Sequence, residues 1–299
     1  MMAIKDDAKP AYENPLIPNR RLRQIYLAML QARALDGALP RTQRGLTAGL
    51  EACLASTSVD LRPDDLVSDS LAGGALDFLR GRTLGQVLRA DARGRGAGLR
   101  VKADCGTAGR LPAAARAGER LWAALGAAAG LKVEAARSKN AASTVNGASE
   151  STTQAGVVVA YASPGELGPA AWRKVFEFAV AELLPVVFVL LPPQRDAAKE
   201  AAVSPLALKC GVPGIAVDAE DAVAIYRVAQ ESIGRARAGG GAALMECVPF
   251  VLEGAGDRRM RGADAIAGME AYMLQRGVAT RRWMEAEAGA FARRLGAAS

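Results

Sequence analysis

Histidine is absent from all 299 residues. That removes the side chain best suited to proton transfer near neutral pH, and with it the imidazole ligand of mixed zinc sites. Cysteine is scarce: Cys53, Cys105, Cys210 and Cys247 are the only four, and no two have a CxxC spacing. In a chain with no export signal in its sequence, they read as free thiols rather than a disulfide scaffold. No apolar run reaches the length of about eighteen residues needed to span a bilayer, so no membrane segment is expected. The opening stretch MMAIKDDAKPAYENPLIPN carries acids and prolines but no apolar targeting segment. It reads as an extended arm on a cytoplasmic protein. Aromatic residues make up only 5% of the chain.

What is present is apolar and small. The apolar fraction of 51% suffices for a sizeable core, and abundant alanine and glycine imply closely packed helices. The formal charge of +7 concentrates in GRTLGQVLRADARGRGAGLRVK, where Arg82, Arg89, Arg93, Arg95, Arg100 and Lys102 face only Asp91. Such a cluster suits a solvated or subunit-facing surface, or an anionic small molecule. It lacks aromatic residues for base stacking, so nucleic acid is not the expected partner.

Apolar periodicity divides the chain into an arm (1–19), an α/β domain (20–263) and a C-terminal helical extension (264–299). Leu22, Ile25, Tyr26, Met29 and Leu30 recur at helical spacing. Further helices are expected over 47–54 and 76–88, the latter interrupted by GRT with Thr83 as a cap. Another helix carries Leu121, Trp122, Leu125 and Leu131 after Pro112. The polar, aperiodic residues 138–156 read as an exposed loop or disorder. From there, strands at 157–162, 184–191, 214–217 and 242–248 alternate with helices at 170–182, 199–210 and from Asp221 onward. The run Val186 to Val189 is apolar throughout, as expected when helices cover both sheet faces. This alternation predicts a doubly wound, mainly parallel sheet flanked by helices. GGG at 239–241 ends one helix, and two tail helices meet near Gly277.

Several stretches together resemble the alpha subunits of thiamine-diphosphate-dependent 2-oxoacid dehydrogenase E1 components. They are RLRQIYLAMLQAR, RGLTAGLEACLA, LRPDDLVSDSLAGGALDFLRG, LPVVFVLLP and CGVPGIAVDAEDAVAIYRVAQESIGRARAGGGAALMECV. The resemblance implies a thiamine-diphosphate-binding-like fold. It also implies a magnesium–diphosphate site at the carboxyl ends of the strands, where magnesium requires hard oxygen ligands. The family's glycine-aspartate-glycine turn corresponds to Ser163, Pro164 and Gly165. Its asparagine pair corresponds to Pro192 and Pro193, and a later ligand to Arg195. Its tyrosine-arginine pair corresponds to Leu71 and Ala72, and a nearby histidine to Gly74. A histidine-rich loop corresponds to PFVLEGAG, with Glu253 and Ala255 near the histidine positions.

None of these positions supplies a hard anionic ligand except Glu253, which is the weak candidate for a catalytic acid or base. The expectation is therefore a noncatalytic E1-alpha-like protein with no cofactor and no metal. It would associate as a homodimer or with an E1-beta-like subunit. The alternatives are an active alpha subunit, using thiamine diphosphate and magnesium to oxidise 2-oxo acids onto a lipoyl acceptor, or a repurposed anion-binding protein. Four other acids invite a role. Asp69 is expected to be structural and Glu51 to lie on the surface or stabilise a helix. Glu166 is expected to face solvent, and Asp218 to cap the helix after its strand.

Overall fold

The structure, a computed structural model, describes residues 16–39, 47–69, 74–92, 109–111, 116–144, 155–192, 202–249 and 264–298. In chain order the elements begin with α1 (Asn19–Ala38), α2 (Glu51–Ser58), β1 (Leu66–Ser68), α3 (Ala75–Leu79), α4 (Leu84–Ala92) and α5 (Ala117–Thr144). They continue with β2 (Val158–Ala162), α6 (Pro169–Ala181), β3 (Val186–Leu190), α7 (Ser204–Lys209) and β4 (Gly214–Asp218). The last are α8 (Ala222–Arg237), β5 (Ala243–Val248), α9 (Ala265–Gln275) and α10 (Arg281–Ala298).

The five strands form one sheet in the order β1-β2-β3-β5-β4, and every neighbouring pair is parallel. Alternation along the strands sends their side chains into two cores. Val159, Tyr161, Val187, Val189 and Met245 pack under α1, α2, α8 and α9. Val158, Ala160, Val186, Phe188 and Leu244 pack under α5, α6 and α7. In the second core Trp172, Phe176 and Phe188 form an aromatic cluster, with ring centroids 5.3 to 6.4 Å apart. Each such contact adds about 1 kcal/mol beyond simple area burial.

The connections explain the double winding. The steps β2→β3 and β3→β4 advance across the sheet through α6 and α7, on one face. The step β4→β5 returns through α8 on the other. Right-handed crossovers force that change of face. The winding therefore reverses between β3 and β5, the position at which doubly wound sheets bind ligands beyond the strands' carboxyl ends.

Two sequence expectations change here. Residues 138–144 were expected to begin the polar loop, yet they complete α5. Each added residue extends an existing helix without a new nucleation cost, and alanines at 141 and 142 favour it. Trp122 was expected among the core contacts of α5 but is 44% exposed, in edge contact with Phe178. Leu121 and Leu125 do face the core. Thr83 caps α4 as expected: its hydroxyl accepts from Gln86 N at 3.3 Å, and Gln86 Oε1 accepts from Thr83 N at 2.9 Å. The tail helices are not isolated. Met269 and Met273 of α9 belong to the main core, and Phe291 and Leu295 of α10 pack with Leu35, Leu84 and Val87.

Candidate functional site at the carboxyl edge of the sheet

The carboxyl edge is where the winding places a ligand, and the described strands present there Asp69, Ser163, Pro192, Asp218 and Pro249. Ala162 lies in register with Leu190, and Leu191 N donates to Ala162 O at 2.8 Å. Parallel pairing thus carries the Ser163–Gly165 turn and Pro192 together on neighbouring strands. Leu71, Ala72, Pro193, Arg195, Glu253 and Ala255 lie outside the described residues. Gly74 is described and immediately precedes α3, where its carbonyl accepts from Phe78 N.

The turn after β2 is a single 3-10 turn, Pro164–Glu166. Glu166 Oε1 accepts from Ser163 N at 3.0 Å, and its other oxygen pairs with Arg120 Nη2. Arg120 is 2% exposed and also donates to Tyr161 O at 2.6 Å. The Trp172 indole donates to Pro164 O at 2.9 Å. Glu166 therefore does not face solvent as expected. Burying Arg120 requires an anionic partner, and Glu166 supplies it from the turn. The one signal for Arg120 in the sequence is its place beside Leu121 and one turn before Ala124, on the buried stripe of α5.

A second charged group closes the β1 end. Asp69, buried, accepts from Arg110 at 3.0 Å, and Arg110 also pairs with Asp77. Burial opposes the Arg110 charge, but Asp69 and Asp77 more than offset it and hold its pKa above the ordinary value. The structural role expected for Asp69 is the one observed. Asp77 also pairs with Arg82 at 3.3 Å, which ties the first residue of the basic cluster into the fold.

Glu51 was expected at the surface or stabilising its helix, but it is 2% exposed in the first turn of α2. Its Oε1 accepts from Arg33 at 2.9 Å, and Arg33 bridges onward to Asp264 at 2.7 Å. The acid thus ties α1, α2 and the start of α9 together rather than meeting water. Asp218 does not cap α8 either. Its Oδ1 accepts from Glu220 N in a local turn, while Asp221 accepts from Val223 N and Ala224 N as the cap. A cap must immediately precede the first helical residue, and that position is 221.

Other buried charges went unread in the sequence. Glu246, an acid within the apolar strand ALMECV, accepts from Val203 N and Ser204 N, both at 2.9 Å, and so caps α7 from a neighbouring strand. Asp65, fully buried before β1, accepts from Val157 N and Arg62 N and pairs with Arg237. The described cysteines are free thiols, as expected; Cys105 lies outside the described residues. A side-chain hydrogen bond with Cys247, and then burial, push the Cys53 thiol well above its ordinary pKa. That is the environment of an inert cysteine, not a nucleophile. Among the described residues no three Cys, Asp or Glu side chains gather as a metal site.

Comparison with known proteins places this geometry. Residues 176–254, from α6 through β5 and beyond, match the Dehydrogenase E1 component family. The chain is 30% identical to the acetoin:2,6-dichlorophenolindophenol oxidoreductase alpha subunit of Bacillus subtilis, over 40% of this chain and 42% of that protein. The pyruvate dehydrogenase E1 alpha subunit of Staphylococcus aureus is 30% identical over 38% of this chain and 34% of its own length. The alpha subunit of 3-methyl-2-oxobutanoate dehydrogenase from Mycobacterium tuberculosis is 33% identical over 32% and 28%.

Part of the chain is homologous to E1 alpha subunits.

Its parallel sheet flanked by helices is the architecture of that family. The matches span less than half the length of each of these relatives. The stretch matched to the family covers the winding reversal between β3 and β5.

Proposed function

We propose that this E1-alpha homologue is a noncatalytic subunit that has lost the magnesium–thiamine diphosphate site and serves as a scaffold or regulator for an E1-beta-like partner. The reading is carried by the turn after β2. Pro164 stands at the aspartate position implied by the resemblance, and its carbonyl accepts the Trp172 indole. The only carboxylate of that turn, Glu166, has one oxygen on Ser163 N and the other on Arg120. A cation would have to displace a buried guanidinium to use it, so these residues do not fit magnesium. Pro192, at the described half of the asparagine pair, has no side-chain oxygen.

Fold and chemistry separate readily, so a well-packed sheet is compatible with a dismantled site. The test is calorimetric titration of thiamine diphosphate with magnesium into the chain, alone and then combined with a beta-like subunit encoded alongside it. No saturable, magnesium-dependent heat is expected in either case. Micromolar, magnesium-dependent binding would overturn the proposal in favour of an active oxidoreductase subunit.

A further inference from the structure

The outer side of β4 is an edge of the sheet that no strand covers among the described residues. Two bonds fix which way its peptides point. Leu244 N donates to Pro213 O at 2.8 Å, and Ala219 N donates to Val248 O at 2.9 Å. In a parallel strand alternate residues turn both peptide groups to the same side. Residues 213, 215, 217 and 219 therefore bond inward to β5. The N–H and C=O groups of Gly214 and Ala216 and the N–H of Asp218 point outward, and no strand among the described residues takes them, whereas Asp218 O already accepts from Asp221 N at 3.2 Å.

Edge strands of monomeric proteins are usually guarded by lysine, proline or a bulge. The sequence of β4, GIAVD, has no lysine or proline. Ile215 is 39% exposed and Ala216 is also exposed, while Leu208 on the adjoining α7 is 67% exposed. Apolar surface thus flanks the edge on both faces: Ile215 aligns with Met245 on the α8 side, and α7 covers the other.

We infer that the outer edge of β4 pairs antiparallel with β4 of a second copy of this chain, about a two-fold axis at Ala216. The outward groups select that occupant because they are complementary to themselves. With Ala216 opposite Ala216, Gly214 falls opposite Asp218; the central pair exchanges both backbone bonds, and each Asp218 N donates to Gly214 O of the other copy. Ile215 then lies beside Val217 of the second copy on the same face. The charges are arranged for the same direction. Lys209 precedes the strand, whereas Asp218 and Glu220 stand at its end. Antiparallel pairing brings the acidic end of one copy to the basic end of the other. Within one copy, burial and then Asp218 push the Glu220 carboxyl above its ordinary pKa, as expected for acids that lack a cation of their own.

The native mass of the full chain tests the pairing, by sedimentation or mass photometry across micromolar concentrations without thiamine diphosphate. A dimer is expected. Ala216→Pro removes only an outward N–H, which an edge strand tolerates. Ala216→Lys sets two like charges opposite each other at the axis. Each substitution is expected to raise the dimer dissociation constant by ~100-fold or more, equivalent to about 2.7 kcal/mol, with the far-UV circular dichroism unchanged. If the proline variant does not fold, the lysine variant decides alone. A monomeric native chain would overturn the inference, and so would a dimer that the folded variants leave intact. The pairing is independent of the cofactor reading, so either can fail without the other.

Discussion

At the scale of single residues, the carboxyl edge is held by charges whose partners lie far apart in the chain. Arg120 and Glu166 are separated by 46 positions, and Arg33 and Glu51 by 18. No local periodicity signals such pairs, which is why the sequence points to a solvent-facing Glu166 and to a surface or helix-stabilising Glu51. Arg120 carries the clearest consequence. Replacing it with methionine leaves the Glu166 carboxylate and the Tyr161 carbonyl without their donor in a largely desolvated place. Removing one partner of a buried ion pair costs about 3 kcal/mol or more, and the urea midpoint should fall accordingly. A loss below ~1 kcal/mol would put the pair among ordinary surface ion pairs and weaken the account of this turn as rigidly closed.

At the scale of elements, helix ends were the most legible feature wherever glycine marked them. The helices α7, α8 and α9 each end with a left-handed glycine, Gly211, Gly239 and Gly277, at φ of 86°, 84° and 64°. In each, the next residue bonds back across the last turn: Val212 N to Ala207 O, Gly240 N to Arg235 O and Val278 N to Met273 O. These are Schellman ends. The helix α6 ends the same way, with Leu184 N on Ala179 O, but the left-handed position holds Leu183 at φ 44°. Nothing in the sequence marks this turn, since the left-handed position ordinarily carries glycine or asparagine and here holds leucine. A Cβ in the left-handed region costs roughly 1–2 kcal/mol, and Leu183 is 55% exposed, so little burial offsets it. Leu183→Gly is therefore expected to stabilise the protein by about 1 kcal/mol, seen as a raised thermal midpoint. A lowered midpoint would mean that the contacts of the leucine outweigh its backbone strain. Residues 138–144 show the opposite failure: polar composition hid a helix that simply continued.

At the scale of the whole molecule, the sheet was readable because each strand is a short apolar run between helical patterns. The order β1-β2-β3-β5-β4 was not, because strand order depends on pairing between distant segments. The roles of the tail helices are likewise fixed by tertiary packing. Helix α10 buries Met284, Phe291 and Leu295, and the Phe291 ring lies 5.6 Å from that of Phe78. Its partners Leu35, Leu84 and Val87 come from α1 and α4, so α10 seals the seam between the first helix and the helices that follow β1. Full burial of each large apolar side chain is worth about 1.5–3 kcal/mol, and a realistic unfolded chain reduces the sum. Against a net stability of roughly 5–15 kcal/mol, the loss of three is severe. A chain ending at Thr280 should therefore unfold at a markedly lower urea concentration than the full chain, while residual circular dichroism below that midpoint still shows the α/β sheet. If the midpoint stayed unchanged, α10 would be an appendage whose contacts contribute nothing to holding α1 and α4 together.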